Sequence, residues 1–149
     1  NETEWGGEFE EVVWDRVGLF FFSLHKKEPK NALWLNSLGF TLAEKGIELN
    51  LAQQSIKTAL QIAPNNYMYL DSLAWVKFKK GEYKEALKML QQAYAAEPHP
   101  EIGAHLGEVL WVTGQQAEAL DVWQQAYDPS APYDVLVETL ERYKQTIPN

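Results

Sequence analysis

Residues 70–98 read LDSLAWVKFKKGEYKEALKMLQQAYAAEP, and the spacing of their apolar and small residues sets the reading of the whole chain. Leu70, Leu73, Ala74 and Val76 to Phe78 recur at helical intervals, Gly81 interrupts, and Ala86, Leu87, Leu90 and Ala93 resume the same period. This pattern predicts two antiparallel helices joined by a tight turn. Gly81 can adopt the left-handed backbone that ends the first helix, and Pro98 cannot continue the second. Ala74 and Ala86 carry almost no side chain, so the two helices are expected to cross closely.

The stretch is repeated. Leu73-Ala74 has counterparts in Leu38-Gly39, 35 residues earlier, and in Leu106-Gly107, 33 later. Gly81 recurs as Gly46 and Gly114, Ala86 as Ala52 and Ala119, Ala93 as Ala59 and Ala126, and Pro64 precedes Pro98 by 34. A leucine followed by a small residue, then Gly, Ala and Ala at fixed offsets within about 34 residues, resembles the tetratricopeptide repeat. The resemblance covers residues 31–145. It implies an all-α fold, a right-handed α-solenoid of antiparallel helix hairpins with a C-terminal capping helix. The expected hairpins are at about 31–65, 66–98 and 99–128.

Departures from the repeat have local readings. Gly46 to Ala52 is one residue longer than Gly81 to Ala86, which predicts a looser turn at 47–50. After Asp128-Pro129-Ser130-Ala131-Pro132, the residues Tyr133, Leu136, Val137, Leu140 and Tyr143 mark one more amphipathic helix, expected over 132–145 with Pro132 at its start. Such a helix would cover the apolar face that the last hairpin otherwise exposes. Residues 1–30 form a separate N-terminal segment with a helix expected over 11–27. Pro29 lies 35 before Pro64, so this helix has the phase of a second repeat helix, but Val17 and Leu24 stand where the other repeats have alanine. It reads either as a degenerate half-repeat of a longer protein or as a distinct helix docking on the first hairpin. Residues 1–7 are expected to fray.

Composition bounds the function. At 149 residues and 46% hydrophobic the chain can bury a sizeable core, and no apolar run approaches the ~18 residues of a membrane span. Val12 to Leu24, the richest run, is broken by Asp15 and Arg16 and preceded by five glutamates, unlike a signal peptide. With no cysteine there are no disulfides or thiolate metal sites. A net charge of −8 argues against nucleic acid, whose phosphates demand a basic face. The charge is uneven. Lys77, Lys79, Lys80, Lys84 and Lys88 cluster in the central hairpin, whereas residues 89–149 hold nine acids against Arg142 and Lys144, a balance of −7. These read as solvated helix faces, or as a surface that steers a basic partner to the C-terminal half.

Signs of catalysis are lacking. There is no Gly-rich phosphate loop, no Cys nucleophile and no Gly-x-Ser-x-Gly elbow. Glu101, His105 and Glu108 fall at i, i+4 and i+7 and could share a helix face toward a metal, but that spacing arises easily on a Glu-rich helix. A solvated acidic face with a half-buried histidine is the simpler reading. Neither an enzyme, nor a cofactor, nor a metal site is therefore expected.

The resemblance places a ligand surface on the first helix of each hairpin, lining a concave groove. Carried over by the Leu-small register, the lining positions are Leu33, Asn36, Phe40, Ala43 and Glu44, then Met68, Asp71, Trp75, Phe78 and Lys79, then Ile102, His105, Glu108, Trp111 and Val112. Members that clamp a C-terminal carboxylate use Lys, Arg and Asn there, because a carboxylate needs charge-assisted donors. Asp71 and Glu108 speak against that mode. Trp75, Phe78 and Trp111 would instead offer flat apolar area to a peptide or helix, unless they pack between hairpins. The wording of LNSLGFTLAEKG, LDSLAWVKFKKGEY and HPEIGAHLGEVLWVTGQQAEALDVW is similar to the C-terminal repeats of proteobacterial tetratricopeptide proteins, many exported to the cell envelope. That similarity implies a periplasmic or outer-membrane-associated scaffold, with a cytoplasmic location as the alternative.

The expected function is a protein-binding module that takes a peptide or helix of a partner in an aromatic, mildly acidic groove. The alternative is a structural or assembly role through its ends and convex face. Self-association enters through Leu19-Phe20-Phe21-Phe22, since a helix turning ~100° per residue cannot bury all of them on one face. Phe20, Phe21 and Phe22 are expected to form a two-fold homodimer contact, or else to be covered by residues 1–11 with Trp5 and Phe9.

Overall fold

The computed structural model describes residues 31–147. The expectations for the N-terminal segment, the Phe20, Phe21 and Phe22 contact among them, lie outside these residues. Among the described residues there are seven α-helices and no strand: α1 (Ala32–Lys45), α2 (Leu49–Ile62), α3 (Tyr67–Lys79), α4 (Tyr83–Ala96), α5 (Pro100–Val112), α6 (Gln116–Ala126) and α7 (Asp134–Arg142). None is long and apolar enough to cross a membrane. The chain divides into two compact units, one ending at Lys80 and the other beginning at Gly81.

Helix boundaries repeat because their causes repeat. Eight residues before the small residue of each first helix stands a capping side chain. Asn31 Oδ1 accepts from Trp34 N–H at 3.1 Å, Asn66 Oδ1 from Tyr69 N–H at 3.1 Å, and His99 Nδ1 from Glu101 N–H at 3.1 Å. Each satisfies an amide that a helix start leaves orphaned. At the other ends Gly46, Gly81 and Gly114 have φ of 69°, 82° and 86°, a region where a side chain is strained. Gly46 N–H bonds Ala43 O and Ile47 N–H bonds Leu42 O. Gly114 with Trp111 and Gln115 with Leu110 repeat this arrangement. The second helices stop ahead of proline. Ala63 (φ −131°, ψ 76°) and Glu97 (φ −138°, ψ 93°) leave the helical region because Pro64 and Pro98 follow them. The additional residue in the first turn is absorbed by Glu48, held in the left-handed region at φ 47° with no side-chain cap on α2.

In the first unit α1 and α2 form an antiparallel hairpin and α3 packs on both. Leu35, Ala59 and Tyr69 make a core cluster joined by Ala32, Leu60 and Ala63. On α2 the buried residues are Ala52, Ser55, Ile56 and Ala59, a stripe at helical spacing. Gly39 meets this stripe: a Cβ there would fall 2.5 Å from Ile56 Cγ1 and 2.7 Å from Ala52 O.

In the second unit α4 packs on α5, α5 and α6 form a hairpin, and α7 packs on α5. The same stripe returns as Ala86, Leu90 and Ala93 on α4 and as Ala119, Trp123 and Ala126 on α6. Gly103 lets α5 approach Ala126 and Tyr94, where an added methyl would sit 2.8 Å from Ala126 Cβ and 3.2 Å from the Tyr94 ring. Leu136, Thr139 and Leu140 are the buried side of α7.

Candidate functional site

In the first unit the repeat register brings Leu33, Asn36 and Phe40 of α1 alongside Met68, Asp71, Trp75, Phe78 and Lys79 of α3, on two helices in direct contact. Their exposure differs sharply. Leu33 is 58% exposed and Lys79 is exposed, while Asn36, Phe40, Met68 and Phe78 are half-buried. Asp71 and Trp75, both placed on the groove lining, with the indole read as either open to a ligand or packed between hairpins, are buried, with Trp75 at 2%. The buried indole supports the face from beneath. Phe78 leans on it with ring centroids 4.8 Å apart, and Lys79 Nζ lies over it at 5.4 Å from the centroid. Trp75 thus positions Phe78 and Lys79. A cation over an indole face is attracted by the ring's quadrupole, which orients an otherwise loose lysine.

In the second unit the site residues lie on α5. Glu108, also placed on the groove lining, is 5% exposed, and its Oε1 accepts from Tyr143 Oη at 2.8 Å and from Arg142 Nη1 at 3.0 Å. Glu108 Oε2 is buried and meets no donor among the described residues. Both donors come from the end of α7, so the carboxylate expected to face a ligand holds the C-terminal helix. Burial first, then the hydrogen bond to Glu108 and its negative charge, pushes the Tyr143 phenol well above its ordinary value, with the Arg142 charge opposing. Trp111, Trp123 and Tyr143 form a three-ring cluster with centroids 5.6 to 5.7 Å apart. Trp111 and Tyr143 are its half-buried members, and Val112 next to Trp111 is 43% exposed.

Counting from the small residue corrects the lining of the third first helix. Met68 stands six before Ala74, and the residue six before Gly107 is Glu101. Ile102 and His105, the expected lining residues, are buried at 0% and 2%. Glu101 is half-buried and its Oε2 accepts a long hydrogen bond, 3.4 Å, from the Tyr133 hydroxyl. Tyr133 meets His99 edge to face, with centroids 5.1 Å apart. The sequence pattern puts Glu101 only on a possible metal-facing trio and Tyr133 and Tyr143 only on the capping helix, and it gives Arg142 no contact role. The signal was available in the period itself, since Glu108 and Tyr143 are 35 residues apart.

Helix hairpins with a Leu-small pair, a left-handed glycine and an alanine stripe are the marks of the tetratricopeptide-repeat fold, and this chain has that fold. It is 38% identical over 82 residues, 55% of its length, to a TPR repeat-containing protein of Pseudomonas aeruginosa, of which it spans 14%. Among solved structures it is similar to a thermophilic TPR protein of Thermus thermophilus (TM-score 0.72, 20% identity, 92% of this chain and 76% of that one). MamA is also similar (TM-score 0.56, 20% identity, 84% and 83%). No family model matches the chain. Proteins of this fold generally serve as interaction modules rather than enzymes.

Proposed function

We infer that the chain binds a peptide or helix of a partner protein on the face shared by α1 and α3. The observation that carries this reading is the exposure of Leu33, 58%, in register with the half-buried Met68 on the neighbouring helix. Isolated apolar residues on a surface need no explanation. Here two occupy the same repeat position on packed helices, and Phe40, Phe78 and Lys79 extend the stripe. Apolar area with an adjacent cation and an aromatic edge is how binding hot spots are commonly built. The net charge of −8 disfavours nucleic acid as the partner.

The test is capture of partners from source-cell lysate by the intact chain and by a Leu33→Ser/Phe78→Ser variant, read by mass spectrometry. Specific partners are expected to drop out with the variant while helical content is kept. Identical capture would remove this face as the binding surface. Trp75→Ala is unsuitable, because truncating so deeply buried a ring costs about 3–5 kcal/mol of stability and would mimic lost binding.

A further inference from the structure

We propose that the α5 face carrying Glu101, Glu108 and Trp111 is a recognition surface for a partner helix that presents an arginine beside an aromatic residue. In this proposal α7 holds the surface in cis until such a helix displaces it. The inference deepens the interaction-module reading and rests on it, but it uses a different surface from α1 and α3.

Three observations carry the argument. First, the chemistry of the surface is visible in what occupies it. Two carboxylates of α5 receive side chains from either end of the C-terminal segment, Tyr133 on Glu101 and Arg142 with Tyr143 on Glu108. Between these polar ends Leu136 and Leu140 are the buried apolar contact.

Second, α7 fills the site imperfectly. An arginine and a carboxylate make their strongest pair as two parallel N–H···O bonds, one to each oxygen. Arg142 gives only Nη1 to Glu108 Oε1, its Nη2 turning at 3.3 Å to Thr139 Oγ1, and Tyr143 crowds onto the same oxygen. Glu108 Oε2, buried in a residue only 5% exposed, is left without a donor among the described residues. A guanidinium approaching in fork geometry would satisfy both oxygens, so a better occupant than α7 exists in chemical terms. A buried acceptor without a donor is costly, and that cost is relieved by exchange.

Third, α7 is built to leave. It has nine residues, and the connection at 128–132 is exposed throughout, with Pro129 and Pro132 and, among the described residues, hydrogen bonds only among Asp128, Ser130 and Ala131. Arg142, the charged latch, is itself 54% exposed, so water competes for its pair with Glu108. The acid excess of residues 89–149 favours the approach of a basic helix.

The probe is a fluorescent synthetic peptide copying residues 131–147, titrated by anisotropy into the full chain. An Arg142→Ala/Tyr143→Ala chain, whose own α7 is poorly latched, is expected to bind it at least about tenfold more tightly than the unaltered chain does. Adding Glu108→Gln to that chain, or making the same two alanine changes in the peptide, is expected to abolish the gain. A folded double variant that takes the peptide no better than the unaltered chain overturns the proposal, as does equal binding of the altered peptide. If the double variant loses its helical circular dichroism, hydrogen exchange on the unaltered chain decides instead. Amides of α7 must then exchange at least about tenfold faster than those of α5 and α6, and equal protection overturns the proposal. The Leu33→Ser/Phe78→Ser variant is expected to capture the peptide as the unaltered chain does, so failure on one surface is read separately from failure on the other.

Discussion

Gly107 on α5 lies directly beneath the indole of Trp123 on α6, so close that a Cβ at Gly107 would fall inside the ring's contact distance at Nε1. The indole cannot withdraw. It is fully buried, donates from Nε1 to Ala104 O at 3.2 Å, and stacks on Trp111 at 5.7 Å with 24° between planes.

Gly107→Ala therefore opposes two effects of known size. Replacing a mid-helix glycine by alanine gains ~1 kcal/mol in helix propensity. Forcing a methyl into a closed core costs ~1–3 kcal/mol, toward the upper end where the neighbour cannot move. The expected outcome is a net loss, seen as a lower midpoint in urea unfolding followed by tryptophan fluorescence. A stabilised variant would mean that the α5–α6 spacing is wrong.

Much of this was legible in the sequence because the constraints are local. Gly46, Gly81 and Gly114 mark helix ends through backbone conformation alone, and Gly39 and Gly107 mark close crossings through size alone. The period carries such constraints from repeat to repeat. What the sequence concealed was which lining residues are covered. Trp75 and Phe78 differ by three positions and look equivalent on a helical wheel, yet the first is 2% exposed and the second half-buried. That outcome depends on neighbouring helices. The role of Glu108 was hidden for the same reason, since Arg142 and Tyr143 reach it from 34 and 35 residues away. The cap at His99 is concealed because it accepts through a ring nitrogen that composition does not advertise, unlike the asparagines at 31 and 66.

The alkaline limb of stability should report on Tyr143. Its phenol is raised, by burial first and by Glu108 next, and burial raises that of Tyr94 as well. A group raised in the folded state adds stability that is complete below its unfolded value, ~10 for tyrosine, and is lost as pH climbs toward the folded value. Stability is thus expected to fall above pH ~10. Tyr143→Phe should flatten that decline and remove one late-titrating phenol from the phenolate absorbance curve. An unchanged curve would show that the Tyr143 hydroxyl is not held by Glu108.

On α4, burial separates residues that composition does not. Ala86 is fully buried, and Gln91 is exposed. Ala86→Leu is expected to lower stability by ~1–3 kcal/mol through overpacking. Gln91→Leu should stay within ~0.5 kcal/mol of the unaltered chain. Paired thermal melts check this, and equal shifts would refute the assigned face of α4.

The caps offer a comparison between repeats. Asn66 holds Tyr69 N–H through Oδ1 at 3.1 Å, and its φ of −83° and ψ of 105° are extended, so the side chain rather than the backbone conformation satisfies that amide. Asn66→Ala removes the acceptor and is expected to cost about 1 kcal/mol, within the 0.5–2 kcal/mol typical of lost N-caps. Asn66→Asp keeps an acceptor at the positive end of the helix dipole and should be neutral or slightly stabilising. For His99 the same logic predicts that His99→Asn retains the cap on α5 while losing the edge-to-face contact with Tyr133, whereas His99→Ala loses both. The three variants should therefore rank Asn66→Asp, then His99→Asn, then His99→Ala in chemical denaturation. A chain in which His99→Ala is as stable as His99→Asn would show that the ring nitrogen does not cap α5.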